Sequence, residues 1–116
     1  MEANRMILRA TALFVTLALT APAFAGSGNA AAGKAKAQAC VACHGADGNK
    51  TLDGSYPKLA GQYPEYLAKA LHEYKSGKRK NAVMGAQAQG LTEADIADLS
   101  AYFASLKPQI RDLSEH

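Results

Sequence analysis

The chain has two cysteines, and they stand three residues apart in the run Cys40-Val41-Ala42-Cys43-His44. On a helix that spacing puts both thiols on one face, about one turn apart. Two thiols so placed can add to the two vinyl groups of a single haem, and a histidine directly after the second can reach the iron from the proximal side. C-x-x-C-H is the sequence form of that chemistry. Other uses of a close cysteine pair fit less well. A thioredoxin-like dithiol sits in a βαβ setting, and no alternating run long enough for a strand occurs here. A structural zinc site needs four ligands, whereas this chain offers the two cysteines and histidines at 44, 72 and 116. A plain disulfide across so short a loop restricts the unfolded chain very little. None of the three gives His44 a role. The expectation is therefore covalent haem attachment at Cys40 and Cys43 with His44 on the iron, and a thiol redox module is the fallback.

A haem iron has a second axial position, for which Met84, His72 and His116 are the candidates. His72 falls about 140° around its helix from Leu67, on the side of Glu65 and Lys69, and should face solvent. His116 ends the chain, where side chains are poorly held. Met84 stands 40 residues beyond His44, in a stretch without periodicity. A lone methionine is ordinarily a core filler, but the upstream motif makes Met84 the expected second ligand. If it did not ligate, an open iron position would suit a gas-binding protein or a peroxidase-like enzyme instead.

The elements that must position these residues read as helices and long loops. Asn29 caps a run of good helix formers, Ala30 to Ala42, and Gly33 inside it suggests close approach of another backbone. From Gly45 to Gly61 the chain holds four glycines, Asp47, Asn49, Asp53 and Pro57 with no apolar period, which is a long loop of the kind that wraps something. Pro64 opens a second helix through Lys75, with Tyr63, Leu67, Ala70, Leu71 and Tyr74 on one face, and Gly77 ends it. Ala82 to Gly90 reads as irregular. Thr92 and Asp95 make a capping-box-like start for a third helix, whose inner face is Ile96, Leu99, Phe103 and Leu106, with Tyr102 at its edge and Pro108 as its stop. The class is all-α, with three main helices.

Residues 1–25 read as a cleavable signal peptide: Arg5 and Arg9 in the basic flank, an apolar run from Ala10 to Ala21, and Ala23-Phe24-Ala25 before the cut. Pro22 breaks the run before it reaches the roughly 20 residues a membrane span needs. The remaining 26–116 form one domain. Their bulky apolar residues are few for a domain of this size, and such domains usually draw stability from a metal, disulfides or a cofactor. At 48% hydrophobic and 20% charged the composition is globular. A formal charge of +3, or +2 once Arg5, Arg9 and Glu2 are removed, is too small and dispersed for a nucleic-acid binder.

With these residues in view the chain resembles the class I c-type cytochromes, specifically the small bacterial single-domain kind, from about Asn29 to Lys107. Beside the C-x-x-C-H run, Pro57-Lys58-Leu59-Ala60-Gly61 is similar to the family segment whose proline carbonyl accepts a hydrogen bond from the proximal imidazole. The stretch Gly61-Gln62-Tyr63-Pro64 and the Lys80-Asn81 approach to Met84 are most similar to one half of the di-haem two-domain cytochromes, although only one haem motif is present. The resemblance implies a fold wrapped around one covalent haem c. It implies that Pro57 orients His44, that Leu59 packs on the haem, and that Gly33 with Ala37 meets Leu99 and Tyr102 where the first and last helices cross.

Two strong axial ligands leave no open iron position, which suits a one-electron Fe(II)/Fe(III) carrier rather than an enzyme. The signal peptide implies export to the periplasm, and family analogy places such a carrier there between a respiratory donor and a terminal oxidase or other reductase, free or as a subunit of an oxidoreductase. Lys75, Lys78, Arg79 and Lys80 cluster ahead of Met84. They read either as a solvated loop or as a rim that steers an acidic redox partner.

Overall fold

A computed structural model of the chain describes residues 28–109. The signal-peptide reading of residues 1–25 and the position of His116 lie outside them. Five α-helices follow one another among the described residues: α1 (Ala30–Lys36), α2 (Gln38–His44), α3 (Pro64–Ser76), α4 (Ala82–Gln89) and α5 (Glu93–Ser105). The described residues contain no strand, so the all-α expectation holds.

The first helix differs from its sequence reading. Asn29 caps it, its side chain accepting from the Ala32 N–H at 3.0 Å. Near Ala37 the bonding tightens to three-residue spacing, Ala37 N–H to Lys34 O at 3.3 Å and Cys40 N–H to Ala37 O at 2.9 Å. This 3₁₀-type step divides the helix, and α2 then runs two residues further than the composition suggested, to His44. Ala37 itself is buried against Leu67, Leu99, Tyr102 and Phe103.

Helix α1 crosses α5 closely enough that a side chain at residue 33 has no room. A Cβ there would lie 2.0 Å from the Asp98 carbonyl oxygen and 2.7 Å from the Tyr102 Cβ. Gly33→Ala is expected to destabilise the domain by about 3 kcal/mol, read by chemical denaturation, because α5 must move before the methyl fits. The same crossing is clasped by Lys36, whose Nζ lies 2.8 Å from Asp95 Oδ1 and 2.7 Å from Asp98 Oδ2. The Asn29 N–H adds a bond to Asp98 Oδ1 at 2.7 Å.

Hydrogen bonds from Lys36 hold both carboxyls below the usual aspartate range, Asp95 far below it, and raise Lys36 in turn. Carboxyls whose pKa is lower folded than unfolded stabilise fully above about pH 4 and lose that contribution as pH falls through the lower folded values. Wild-type melting temperature is thus expected to drop as pH falls below 4, and Lys36→Met to be less stable at pH 7 but with a shallower acid decline.

Helix α5 starts as its sequence predicts, with a reciprocal capping box. The Asp95 N–H bonds Thr92 Oγ1 at 3.1 Å, and the Thr92 N–H bonds Asp95 Oδ2 at 2.9 Å. Its Ile96, Leu99, Tyr102 and Phe103 are buried, Tyr102 fully within the core rather than at its edge. Ser100 is buried as well, and its hydroxyl has no hydrogen-bond partner among the described residues. Ser100→Ala is expected to raise stability by about 1 kcal/mol in thermal melts, since it removes an unsatisfied polar group and favours the helix.

The Ala82 to Gly90 stretch is a correction to the sequence reading, for it forms α4. Asn81 caps that helix, and the helix packs on α3. Gln89 Nε2 donates to Lys75 O at 2.8 Å, and Lys75 Nζ donates to Leu91 O. Only Ala88 of α4 is buried, so the helix carries no apolar stripe that its sequence could have displayed. Among the described residues no helix is long and apolar enough to cross a membrane.

Candidate haem-binding site

The site is built on α2 and the irregular segment after it. Cys40 and Cys43 are unpaired thiols, each half-buried. Burial first, and then the neighbouring Cys43, push the Cys40 thiol up. His44 closes the helix and is buried, only 5% exposed. Its Nδ1 lies 2.8 Å from Pro57 O. A carbonyl oxygen can only accept, so Nδ1 carries the proton, and in the neutral ring Nε2 keeps its lone pair. No hydrogen bond to Nε2 is found among the described residues.

Turn chemistry brings Pro57 back to His44. Gly45 and Gly48 have φ of 86° and 67°, conformations that a β-carbon disfavours. The Leu59 and Ala60 N–H groups both bond Gly48 O, at 2.9 and 3.1 Å, and the Leu52 N–H bonds Cys43 O at 2.9 Å. Asn49, buried, reaches across the fold: its Nδ2 donates to Lys107 O at 3.0 Å, and its Oδ1 accepts from the Gln109 N–H at 2.8 Å. The chain beyond α5 is thereby tied to the segment that follows the thiols. Leu59 is half-buried and packs with Cys40 and Val41 against the Ala37, Leu67, Leu99, Tyr102 and Phe103 cluster.

Met84 stands apart from this group, on α4, where it is half-buried. Its own N–H bonds Asn81 Oδ1 at 2.9 Å, so the cap residue fixes the backbone that carries the thioether. His72 is exposed, 3.4 Å from Glu93. Tyr56, whose ring meets the His44 ring edge-on with centroids 6.2 Å apart, is absent from the sequence reading, and the roles of Asn49 as a cross-fold tie and of Asn81 as a cap were not read there. Asn81 directly before a helix-forming stretch was the one legible signal, that of an N-cap.

The donor set fits a haem better than the alternatives. A zinc ion finds no group of three His, Cys, Asp or Glu side chains to hold it among the described residues. A βαβ setting for a dithiol is absent from them too. Two free sulfurs one turn apart, followed at once by a buried imidazole with its Nε2 lone pair uncommitted, suit a group that takes two thioethers and one nitrogen ligand. The protein's own core also leaves apolar surface uncovered, with Leu52 67% and Val83 54% exposed.

A family model described as cytochrome c matches residues 30–107. Cytochrome c4 of Pseudomonas aeruginosa is 50% identical over 98 residues, which cover 84% of this chain and 48% of that protein. Cytochrome c-554(548) of Halomonas halodenitrificans is 48% identical over 82 residues, 68% of this chain and 98% of that protein. Among solved structures, reduced recombinant cytochrome c4 from Pseudomonas stutzeri superposes with a TM-score of 0.67 at 39% identity, covering 72% of this chain and 48% of that one. The chain thus spans about half the length of the cytochromes c4 it matches and nearly all of c-554(548). With a family match running from α1 to the residues just past α5, around a single C-x-x-C-H run, the chain belongs to the cytochrome c family, as an all-α class I c-type cytochrome whose cofactor is one covalently bound haem c.

Proposed function

We propose that this chain is a one-electron carrier, exported to the periplasm after loss of residues 1–25, in which Cys40 and Cys43 hold the haem and His44 and Met84 are its axial ligands. When bound, the haem supplies an Fe(II)/Fe(III) couple, which a thioether ligand biases toward the reduced state. The observation that carries the reading is the state of His44. It is buried, one residue after Cys43, with Nδ1–H committed to Pro57 O and Nε2 open to a metal. That hydrogen bond fixes the tautomer and makes the ring a stronger donor, the usual task of a second-shell carbonyl. Leu59, which like Cys40 packs against the Ala37, Leu67, Leu99, Tyr102 and Phe103 cluster, would lie against the haem. Asn81 and the Gln89 and Lys75 bonds between α3 and α4 hold the Met84 backbone in place.

The partner in this reading is an acidic redox protein, met by exposed Lys78, Arg79 and Lys80. Lys75 contributes less, because its ammonium is spent on Leu91 O. Lys78 lies 3.8 Å from Glu73, and Arg79 rests over the Tyr74 ring at 5.1 Å, so the rim is partly neutralised and partly pinned. A short-lived interface steered by so few charges should still slow with ionic strength. An association rate indifferent to salt would remove this docking role.

The visible spectrum of the exported protein, oxidised and dithionite-reduced, tests the whole reading. Sharp reduced bands with the weak red band of methionine-to-iron ligation in the oxidised form are expected. Haem bands without the red one would discard Met84, and no haem absorption would discard the carrier.

A further inference from the structure

Tyr56 directly precedes Pro57, and the two residues meet His44 from one short stretch of chain. The Pro57 carbonyl takes the Nδ1 proton at 2.8 Å. The Tyr56 ring stands nearly perpendicular to the imidazole, the planes at 83° and the centroids 6.2 Å apart. That is within the range of attractive edge-to-face pairs. A single hydrogen bond fixes one point of the imidazole and leaves its plane free to rock about the line from Nδ1 to the oxygen. A perpendicular ring lying against it opposes that rocking.

Tyr56 is itself held. It is half-buried, and its N–H bonds Asp53 O at 3.3 Å. On the far side of Pro57, the Leu59 and Ala60 N–H groups anchor the chain to Gly48 O. The segment is therefore stiff enough to transmit orientation to the histidine.

We propose that Tyr56 is a positioning residue for His44, setting the plane of the imidazole while Pro57 sets its tautomer. The proposal rests on His44 being the proximal iron ligand, as read above. Residues behind a metal-ligating histidine orient it, and most do so by hydrogen bonding; here an aromatic edge adds a second constraint. The plane of an axial imidazole governs how unpaired spin in a low-spin ferric haem is shared among the ring methyl groups. Proton NMR of the oxidised holoprotein therefore reads it directly.

Tyr56→Phe, Tyr56→Leu and Tyr56→Ala, each made in the full chain and isolated with haem, supply the comparison. Tyr56→Phe keeps the ring and is expected to keep the wild-type order and spread of haem-methyl shifts. Tyr56→Leu fills much of the volume without a planar edge and is expected to reorder or narrow them, with a shifted midpoint potential. Wild-type shifts in Tyr56→Leu would overturn the proposal, because packing alone would then suffice. Equal changes in the Phe and Leu variants would also overturn it, assigning the effect to the hydroxyl. Should the Leu and Ala variants not accumulate as holoprotein, the wild type still decides: a nuclear Overhauser contact between the Tyr56 and His44 ring protons is required, and its absence overturns the proposal. A wild type whose His44 ring protons show no attachment to iron would instead count against the ligand assignment. Loss of the red band alone would count against Met84 and leave the Tyr56 test in force.

Discussion

Replacing Cys40 and Cys43 together by alanine is expected to give a chain with no haem absorption and no cooperative thermal transition. The side chains themselves are modest in volume, so the size of the effect comes from what they hold. The described residues bury only a handful of bulky apolar groups, Leu67, Ile96, Leu99, Tyr102 and Phe103, and the other buried hydrophobic positions are alanines. Between α2 and α3 runs an irregular segment longer than either α3 or α5, the longest helices described, and its order depends on a few backbone bonds and on Asn49. A domain this small with so thin a core has a folding margin of about 5 kcal/mol, which loss of a covalent cofactor can remove entirely. Circular dichroism and limited proteolysis after export would check it. A double variant that melts cooperatively near the wild-type temperature would show that the protein core suffices without the haem. Cys40→Ala alone keeps one sulfur and should retain haem at reduced yield.

Met84→Ala is expected to leave the haem attached and the helices folded while changing the iron. Helix α4 needs no side chain from Met84 for its cap, since the Met84 N–H bonds Asn81 Oδ1 whatever the side chain is. The red band of the oxidised protein should vanish. The reduced protein should bind carbon monoxide without displacing a ligand, and the midpoint potential should fall by a sizeable part of the roughly 0.8 V that axial ligands span. An unchanged potential together with a retained red band would mean that another side chain holds the sixth position. His72 is a poor substitute in place, because it is exposed and sits 3.4 Å from Glu93.

Much of this was legible in local sequence, and for local reasons. The C-x-x-C-H run, the Thr92 and Asp95 capping box and the Asn29 cap each act within one turn of chain, so a short string of residues contains the interacting partners. Gly33 announced a crossing because a glycine inside a helix costs stability unless a backbone comes close, and the Asp98 carbonyl is that backbone. The stretch from Gly45 to Gly61 could be read as irregular from its glycines and aspartates.

What only the tertiary structure decided depends on partners far apart in the chain. Helix α4 has no apolar stripe to betray it and owes its place to α3, through the Gln89 and Lys75 bonds. The basic cluster before Met84 reads from sequence as either a solvated loop or a docking rim, whereas in the fold Lys75, Lys78 and Arg79 are engaged by Leu91, Glu73 and Tyr74 respectively. Residue types and spacing carried the cofactor, because covalent attachment needs particular atoms. The orientation of those atoms, Tyr56 against His44 and Asn49 across to Lys107, follows from packing and hydrogen bonds that exist only once the chain has closed on itself.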